Sequence, residues 1–156
     1  MSKRIAIFPG SFDPFTRGHE SIVHRVLPLF DELVIAIGVN ANKNYYYSLE
    51  QRQRWIEEVF NGDARVKVTS FKGLTVDYCR QLKASYIVRG LRTSADFEFE
   101  KAIAQMNKAL ASEIETLFIL PVSELSAINS TIIRDIVRNN GDASAFVPAA
   151  VKLYKV

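Results

Sequence analysis

The sequence predicts an α/β fold: a doubly wound parallel sheet of five strands with helices on both faces. Short apolar runs alternate with stretches of helical periodicity, the pattern of successive βαβ units. The runs are apolar almost throughout, which is typical of strands covered on both faces. Polar and basic residues follow several of these runs directly. We expect the strand order 3-2-1-4-5 in a single domain over residues 1–156, with a ligand site at the carboxyl ends of the strands.

The first βαβ unit contains the stretch KRIAIFPGSFDPFTRGH, residues 3–19. Its apolar run at 5–8 predicts a buried strand, and the Gly- and Pro-bearing segment after it predicts a loop. Apolar residues then recur on one helical face over 22–30. His19 therefore lies at a predicted helix N-terminus, where free backbone N–H groups and the helix dipole favour an anion. This arrangement predicts a nucleotide-phosphate site, although many α/β proteins have a similar unit without that function.

The remaining elements follow in regular alternation. Strands are predicted at 33–38, 66–69, 85–88 and 115–120, and helices at 49–60, 74–82, 94–112 and 130–137. Ser48 and Gln51 match a capping box at the start of the second helix. The third strand alternates apolar and polar residues, which places it nearer a sheet edge. A short helix is expected after Pro148.

Composition excludes several classes of protein. With 48% hydrophobic and 24% charged residues the chain is typical of a globular domain. No apolar run reaches the roughly 18 residues of a membrane helix, and no signal-peptide pattern is present. The single cysteine, Cys79, excludes an internal disulfide and indicates a reducing compartment, so we expect a cytoplasmic protein. The net charge of +3 is too small to favour nucleic acid and suits a small anionic ligand.

Side chains suited to phosphate follow four of the predicted strands. These are His19 after the first strand, Lys43 after the second, Arg89 and Arg92 after the fourth, and Ser130 after the fifth. A guanidinium group presents a rigid fork to phosphate oxygens, and Gly90 between the two arginines allows the backbone to approach a ligand closely. Surface salt bridges, helix capping and an ordinary solvated lysine are the structural alternatives. Their common position favours one site assembled from four loops.

The reaction that suits these residues is direct in-line transfer. No Walker loop, Ser–His–Asp arrangement or protein metal-ligand cluster is present, and no covalent nucleophile is apparent. An acceptor phosphate would attack the α-phosphorus of a nucleoside triphosphate, and pyrophosphate would leave. His19, Lys43 and Arg92 would stabilise the charge that develops on phosphorus. Mg²⁺ would be held mainly by the phosphates and water.

Several motifs spread over nearly the whole chain carry a family resemblance. GSFDPFTRGH matches the GxFDPxxxGH signature of the nucleotidylyltransferase superfamily, and SLEQR, GLTVDY, IVRGLRTSADFEFE, MNK and INSTIIRDI follow it. The first motif indicates only the superfamily, whereas RGLRxxxDFExE beside it is much more specific. Together they resemble the bacterial phosphopantetheine adenylyltransferases.

The resemblance implies a Rossmann-like sheet and transfer of the adenylyl group of ATP to 4′-phosphopantetheine, with Mg²⁺. The products would be dephospho-coenzyme A and pyrophosphate, in the penultimate step of coenzyme A biosynthesis. By the same resemblance His19 is the transition-state stabiliser, with Lys43 and Arg92 also catalytic. The implied ATP-binding residues are Ser11, Phe12, His19, Gly90, Leu91, Arg92, Glu100, Leu125, Ser126, Ala127, Ile128, Asn129, Ser130 and Thr131. The implied residues on the phosphopantetheine side are Ser11, Lys43, Thr75 and Arg89. A homohexamer and feedback inhibition by coenzyme A are further expectations.

Two other hypotheses are open on the sequence. A cytidylyltransferase or a nicotinamide mononucleotide adenylyltransferase would share GxFDPxxxGH, but RGLRTSADFEFE argues against both. A non-catalytic nucleotide-binding or RNA-binding module would use a similar core. The small excess of basic over acidic residues argues against RNA binding.

Overall fold

The computed structural model describes all 156 residues and contains one five-stranded parallel sheet in the order β3-β2-β1-β4-β5. The strands are β1 (Ile5–Gly10), β2 (Glu32–Gly38), β3 (Val66–Phe71), β4 (Tyr86–Gly90) and β5 (Glu115–Ile119). Every pairing between neighbours is parallel. The predicted strand order is confirmed, and the strand with the alternating pattern, β3, lies at an edge.

Four α-helices connect the strands, and a fifth follows β5. They are α1 (Arg17–Val26), α2 (Leu49–Val59), α3 (Thr75–Leu82), α4 (Ser94–Leu110) and α5 (Ser130–Arg138). Three short 3₁₀ turns cover Leu27–Leu29, Ser123–Leu125 and Ser144–Phe146. No helix is long and apolar enough to cross a membrane.

Alternate residues of the central strands pack into cores on opposite faces of the sheet. Ala6 and Phe8 of β1 join a buried cluster with apolar residues of α1 and α2. Ile7, between them, joins a second cluster that includes Val76 and Cys79 of α3. The period of two along a strand produces this division, and it places helices on both faces as predicted.

Two local expectations are wrong. Ser48 caps α2 by accepting a hydrogen bond from the Gln51 backbone N–H at 3.1 Å, but the reciprocal side-chain bond of a capping box is missing. No helix follows Pro148. Instead Val151 is buried in a third cluster, and the Tyr47 hydroxyl donates to the Tyr154 carbonyl at 3.0 Å. Packing of this segment against α2 and α5 outweighs local helix propensity.

Candidate active site

Two adjoining cavities open at the carboxyl ends of the central strands, where the strand order reverses. The His19 cavity, of about 350 Å³, contains His19, Arg92 and Arg134. The Thr75 cavity, of about 410 Å³, has Thr75 and Ile103 on its wall. The two share a rim made of Pro9, Gly10, Ser11, Lys43, Arg89 and Glu100. The structure therefore offers two neighbouring ligand sites with a common polar boundary.

His19 is held in one orientation by the start of α1. Thr16 is the N-cap residue, and its hydroxyl accepts a hydrogen bond from the His19 backbone N–H at 3.2 Å. In return, the Thr16 backbone N–H donates to His19 Nδ1 at 3.0 Å. A ring nitrogen that accepts this bond carries no proton, so the proton of the neutral ring is on Nε2. The imidazole can therefore act as a hydrogen-bond donor inside the cavity.

Three aromatic rings surround this imidazole. The centroids of Phe12, Phe15 and Phe8 lie 5.0, 5.3 and 6.2 Å from that of His19. Burial in this environment lowers the pKa of His19 from 6.5 to about 3, and the positive charges of Arg92 and Arg89 act in the same direction. His19 is thus a neutral N–H donor at physiological pH.

The loop after β1 has an unusual backbone at Phe12. This residue has φ of 49°, in the left-handed region that non-glycine residues seldom adopt. The turn directs its ring back over Gly10, where an added Cβ would lie 2.8 Å from the ring. A side chain at position 10 would therefore displace the Phe12 ring, which packs against His19.

Lys43 reaches the same loop from the segment after β2. Its Nζ donates to Ser11 Oγ at 2.9 Å, although the two residues are 32 positions apart. Both line the His19 and Thr75 cavities. A strongly hydrated ammonium group and a hydroxyl donor thus meet at the shared rim, which suits an anionic group shared between two ligands.

Arg89 is fixed by a bidentate ion pair across the rim. Its Nε and Nη2 donate to the two oxygens of Glu100 on α4, at 2.8 and 2.6 Å. Its Nη1 donates to the Pro9 carbonyl at 2.7 Å. Such a fork fixes the plane of the guanidinium, which is then rigid before any ligand arrives.

The segment after β4 and helix α5 contribute further side chains to the wall of the His19 cavity. Arg92 pairs with Asp96 at 3.4 Å and donates to the Ile128 carbonyl at 3.2 Å. Arg134 donates to the Asp13 carbonyl at 2.7 Å. Ser130, at the first turn of α5, donates to the Pro14 carbonyl at 2.8 Å. These bonds join the N-terminal end of α5 to the loop after β1.

Comparison with known proteins identifies the family. A family model described as cytidylyltransferase-like matches residues 7–136. A phosphopantetheine adenylyltransferase of Flavobacterium psychrophilum is 57% identical over 150 residues, which is 96% of this chain and 99% of that protein. One of Bacteroides thetaiotaomicron is 45% identical over the same shares of the two chains. The chain belongs to the phosphopantetheine adenylyltransferase family.

Solved structures support the fold of this phosphopantetheine adenylyltransferase family member. A bifunctional NMN adenylyltransferase/ADP ribose pyrophosphatase of Francisella tularensis, complexed with AMP and a manganese ion, superposes with a TM-score of 0.70 at 18% identity. A second structure of a bifunctional NMN adenylyltransferase/ADP ribose pyrophosphatase from that organism gives 0.72 at 19% identity. Each match covers 94% of this chain but less than half of the other one, 44% and 45%. At this identity the likeness concerns the fold alone.

Most residues that the family resemblance implies lie around the two cavities. The His19 cavity is lined by Ser11, Phe12, His19, Lys43, Arg89, Gly90, Arg92, Glu100, Ile128, Ser130 and Thr131, and the Thr75 cavity by Ser11, Lys43, Thr75, Arg89 and Glu100. Five further residues line neither cavity: Leu91, Leu125, Ser126, Ala127 and Asn129. Leu91 is buried, and Asn129 caps α5 through its side chain. A role for these five in holding ATP stays a prediction.

Sequence reasoning assigned no role to several residues that the structure brings to the site. Asp13 and Asn107 line the His19 and Thr75 cavities respectively. Arg134, on α5, also lines the His19 cavity. Asp13 is part of GSFDPFTRGH and Asn107 is part of MNK. The motifs therefore identified these positions but not their roles.

The carboxylates of the site determine whether the protein itself could hold a metal ion. No group of three His, Cys, Asp or Glu side chains is placed to hold one. The carboxylate of Asp13 accepts backbone N–H bonds from Tyr46 and Tyr47, and that of Glu100 is occupied by Arg89. These residues do not fit a protein-held cation, and Mg²⁺ would need ligands supplied by a nucleotide.

Replacing Glu100 by glutamine tests the fixed orientation of Arg89. Glutamine keeps the size of the side chain but removes the charge and one acceptor oxygen, so the guanidinium loses its bidentate partner. We expect kcat/KM for the phosphate acceptor to fall by about tenfold because Arg89 is less well placed. Glu98→Gln is the matched control, since Glu98 lies on the same helix with its side chain 73% exposed. Equal kinetics of the two variants would contradict a role for Glu100 in orienting Arg89.

Proposed function

We propose that this chain transfers the adenylyl group of ATP to 4′-phosphopantetheine, forming dephospho-coenzyme A and pyrophosphate in coenzyme A biosynthesis. The observation that carries the mechanism is the convergence of His19, Lys43 and Arg92 on one cavity. His19 contributes a neutral N–H, whereas Lys43 and Arg92 contribute positive charge. Such a site suits stabilisation of charge on phosphorus rather than an enzyme-bound intermediate.

The two cavities correspond to the two substrates. ATP would occupy the His19 cavity, which has the arginines and the start of α5 on its walls. The acceptor would occupy the Thr75 cavity, whose wall includes the apolar residues Phe71 and Ile103 suited to a pantetheine arm. The transferring phosphorus would then lie at the shared rim beside Ser11 and Lys43. This placement brings the reacting groups together, which lowers the entropic part of the barrier.

The proposed step balances without a protein nucleophile. An oxygen of the acceptor phosphate forms a bond to the α-phosphorus of ATP, and the bond from that phosphorus to the bridging oxygen breaks. The electron pair leaves with pyrophosphate. His19 Nε2–H and the cations of Lys43 and Arg92 would donate hydrogen bonds to oxygens whose charge increases in the transition state. Mg²⁺ bound to the phosphates would supply further charge neutralisation.

Pyrophosphate release tests this proposal. The protein is incubated with ATP and Mg²⁺, with and without 4′-phosphopantetheine, and in parallel with CTP or with nicotinamide mononucleotide as acceptor. Release that depends on ATP and 4′-phosphopantetheine together is expected. Preference for CTP or for the mononucleotide would favour another nucleotidylyltransferase. ATP binding by calorimetry with no turnover on any acceptor would favour a non-catalytic module.

Self-association is a second part of the proposal. The apolar stripe of α4 does not pack on the sheet of its own chain: Phe99, Met106 and Leu110 are 68%, 65% and 54% exposed. An exposed apolar surface of this kind favours burial against a second copy of the chain. We expect sedimentation equilibrium to give a mass several times 17.6 kDa, six-fold for the hexamer that the family resemblance implies. A monomer would contradict it.

Regulation by coenzyme A follows from the same assignment. Coenzyme A contains the pantetheine arm of the proposed acceptor, so we expect it to compete for the Thr75 cavity. Competition would raise the apparent KM for 4′-phosphopantetheine without lowering kcat.

A cytoplasmic location stays a prediction based on the single cysteine, Cys79, which is buried and free.

A further inference from the structure

Arg52 on α2 is a buried cation that touches neither cavity. It is 2% exposed and lies behind the walls of the His19 and Thr75 cavities. Its Nη1 donates to the Ser11 carbonyl at 2.6 Å, and its Nε donates to the Tyr47 carbonyl at 3.0 Å. The guanidinium also lies 4.2 Å from the centroid of the Tyr45 ring. One side chain thus bridges the loop after β1 and the segment after β2 that carries Lys43.

Asp13, in the loop after β1, joins the same two segments through a second set of hydrogen bonds. Its carboxylate accepts hydrogen bonds from the backbone N–H groups of Tyr46 and Tyr47, at 2.7 and 2.9 Å. It is 4% exposed, and its negative charge raises the pKa of Arg52 against the larger lowering caused by burial. The Lys43 segment is therefore held at its end by the carbonyl of Tyr47, through Arg52, and by two amides, through Asp13.

Stability alone does not explain a guanidinium in this place. No carboxylate lies within ion-pair distance of Arg52, so its partners are backbone carbonyls and an aromatic ring. Taking a cation out of water is costly, and an apolar side chain packed against α2 would avoid that cost. What an apolar side chain could not do is bond two carbonyls of different loops at once. The arrangement thus favours a role in geometry over one in packing.

We propose that Arg52 is a positioning residue that holds the Lys43 ammonium against the Ser11 hydroxyl by bridging the two loops. The inference rests on the proposed function, because the reaction is what the position of Lys43 serves. The Lys43 Nζ to Ser11 Oγ distance of 2.9 Å is the result of this bridge. Arg52 contacts no substrate and acts only through the two loops.

Substitution by lysine is the test of choice, because Arg52→Lys keeps the charge but cannot reach both carbonyls with a planar fork. We expect kcat/KM for pyrophosphate release to fall about 30-fold, since a shift of the order of 1 Å in a reacting group has effects of this size. Arg54→Lys is the matched control, on the same helix and exposed, and its kinetics should equal those of the wild type. Equal kinetics of Arg52→Lys and Arg54→Lys would overturn the inference.

A double-mutant cycle separates positioning from a general loss of folding. The cost of Arg52→Lys is measured in the wild type and again in a Lys43→Ala background. If Arg52 acts through Lys43, the 30-fold cost should shrink to about twofold once Lys43 is absent. A destabilised fold would instead lower activity by the same factor in both backgrounds, and that result would overturn the inference.

Hydrogen exchange gives a readout that does not depend on the reaction. Amides of the peptide covering residues 40–47 should exchange faster in Arg52→Lys than in the wild type or Arg54→Lys, because the anchor at Tyr47 is lost. Unchanged exchange would contradict the bridge. Absence of acceptor-dependent turnover in the wild type would contradict the proposed function alone, so the two failures are distinguishable.

Discussion

Replacement of His19 by alanine is expected to lower kcat for pyrophosphate release by about 10³-fold, the loss seen when one donor to a developing oxyanion is removed. The Nε2–H of His19 faces the cavity, and Thr16 fixes its direction. Because Arg92 and Arg134 stay in place, ATP binding measured by calorimetry should weaken far less than kcat falls. His24→Ala is the control: its ring lies 5.9 Å from that of Phe60, outside both cavities. Unchanged kcat in His19→Ala would remove this residue from the chemistry.

The protonation state of His19 gives a pH prediction. Burial lowers its pKa to about 3, so the ring is neutral at every pH well above that value. The quotient of wild-type and His19→Ala kcat/KM cancels the titration of the substrates and reports the free enzyme. We expect this quotient to be constant between about pH 5.5 and pH 9. A quotient that rises as pH falls through about 6.5, the range of an exposed imidazole, would show that the imidazolium form acts instead.

Replacement of Lys43 by alanine is expected to lower kcat/KM by about 10²-fold, because a charged donor at the developing charge is worth a few kcal/mol in a partly desolvated site. Lys43 is the only lysine lining either cavity, and its ammonium meets Ser11 at their common rim. The loss should appear in KM for the acceptor as well as in kcat. Steady-state kinetics with each substrate varied in turn measures both.

Lys67→Ala is the matched control for this variant. Lys67 is an exposed lysine of β3 that lines neither the His19 nor the Thr75 cavity, so its removal changes net charge equally without touching the site. If the two lysine variants lost activity equally, the effect of Lys43 would be one of overall charge. A loss confined to Lys43→Ala that persists at high salt would support direct contact, since exposed long-range charge effects are screened.

The parts of the fold that could be read from the sequence depend on neighbours along the chain. The run at residues 33–38 is apolar without interruption and forms β2, whose residues Leu33–Ile37 are buried. Thr16 precedes a helical face and proves to be the N-cap of α1, with His19 in its first turn. The strand order could be anticipated because parallel βαβ units permit few topologies.

For two other segments, the pattern of neighbouring residues was not sufficient to predict the structure. The segment after Pro148 does not form the expected helix, because burial of Val151 beside Tyr47 and Trp55 depends on residues about a hundred positions away. The stripe of α4 has helical periodicity, yet its apolar face does not point at the sheet. Periodicity identifies a face but not what covers it.

The candidate site shows the same difference between features that depend on neighbouring residues and features that depend on distant contacts. The alternating elements, the residues at the strand ends and the phosphate chemistry that they favour could be inferred without coordinates, because apolar periodicity and motif spacing are properties of neighbouring residues. The folded chain was needed to find the neutral state of His19, the ion pair of Arg89 with Glu100 and the bridge made by Arg52. Each of these depends on contacts between distant residues, such as Arg52 with Ser11, 41 positions apart, and Arg89 with Pro9, 80 apart. Desolvation and hydrogen-bond geometry arise from such contacts, and no local pattern records them.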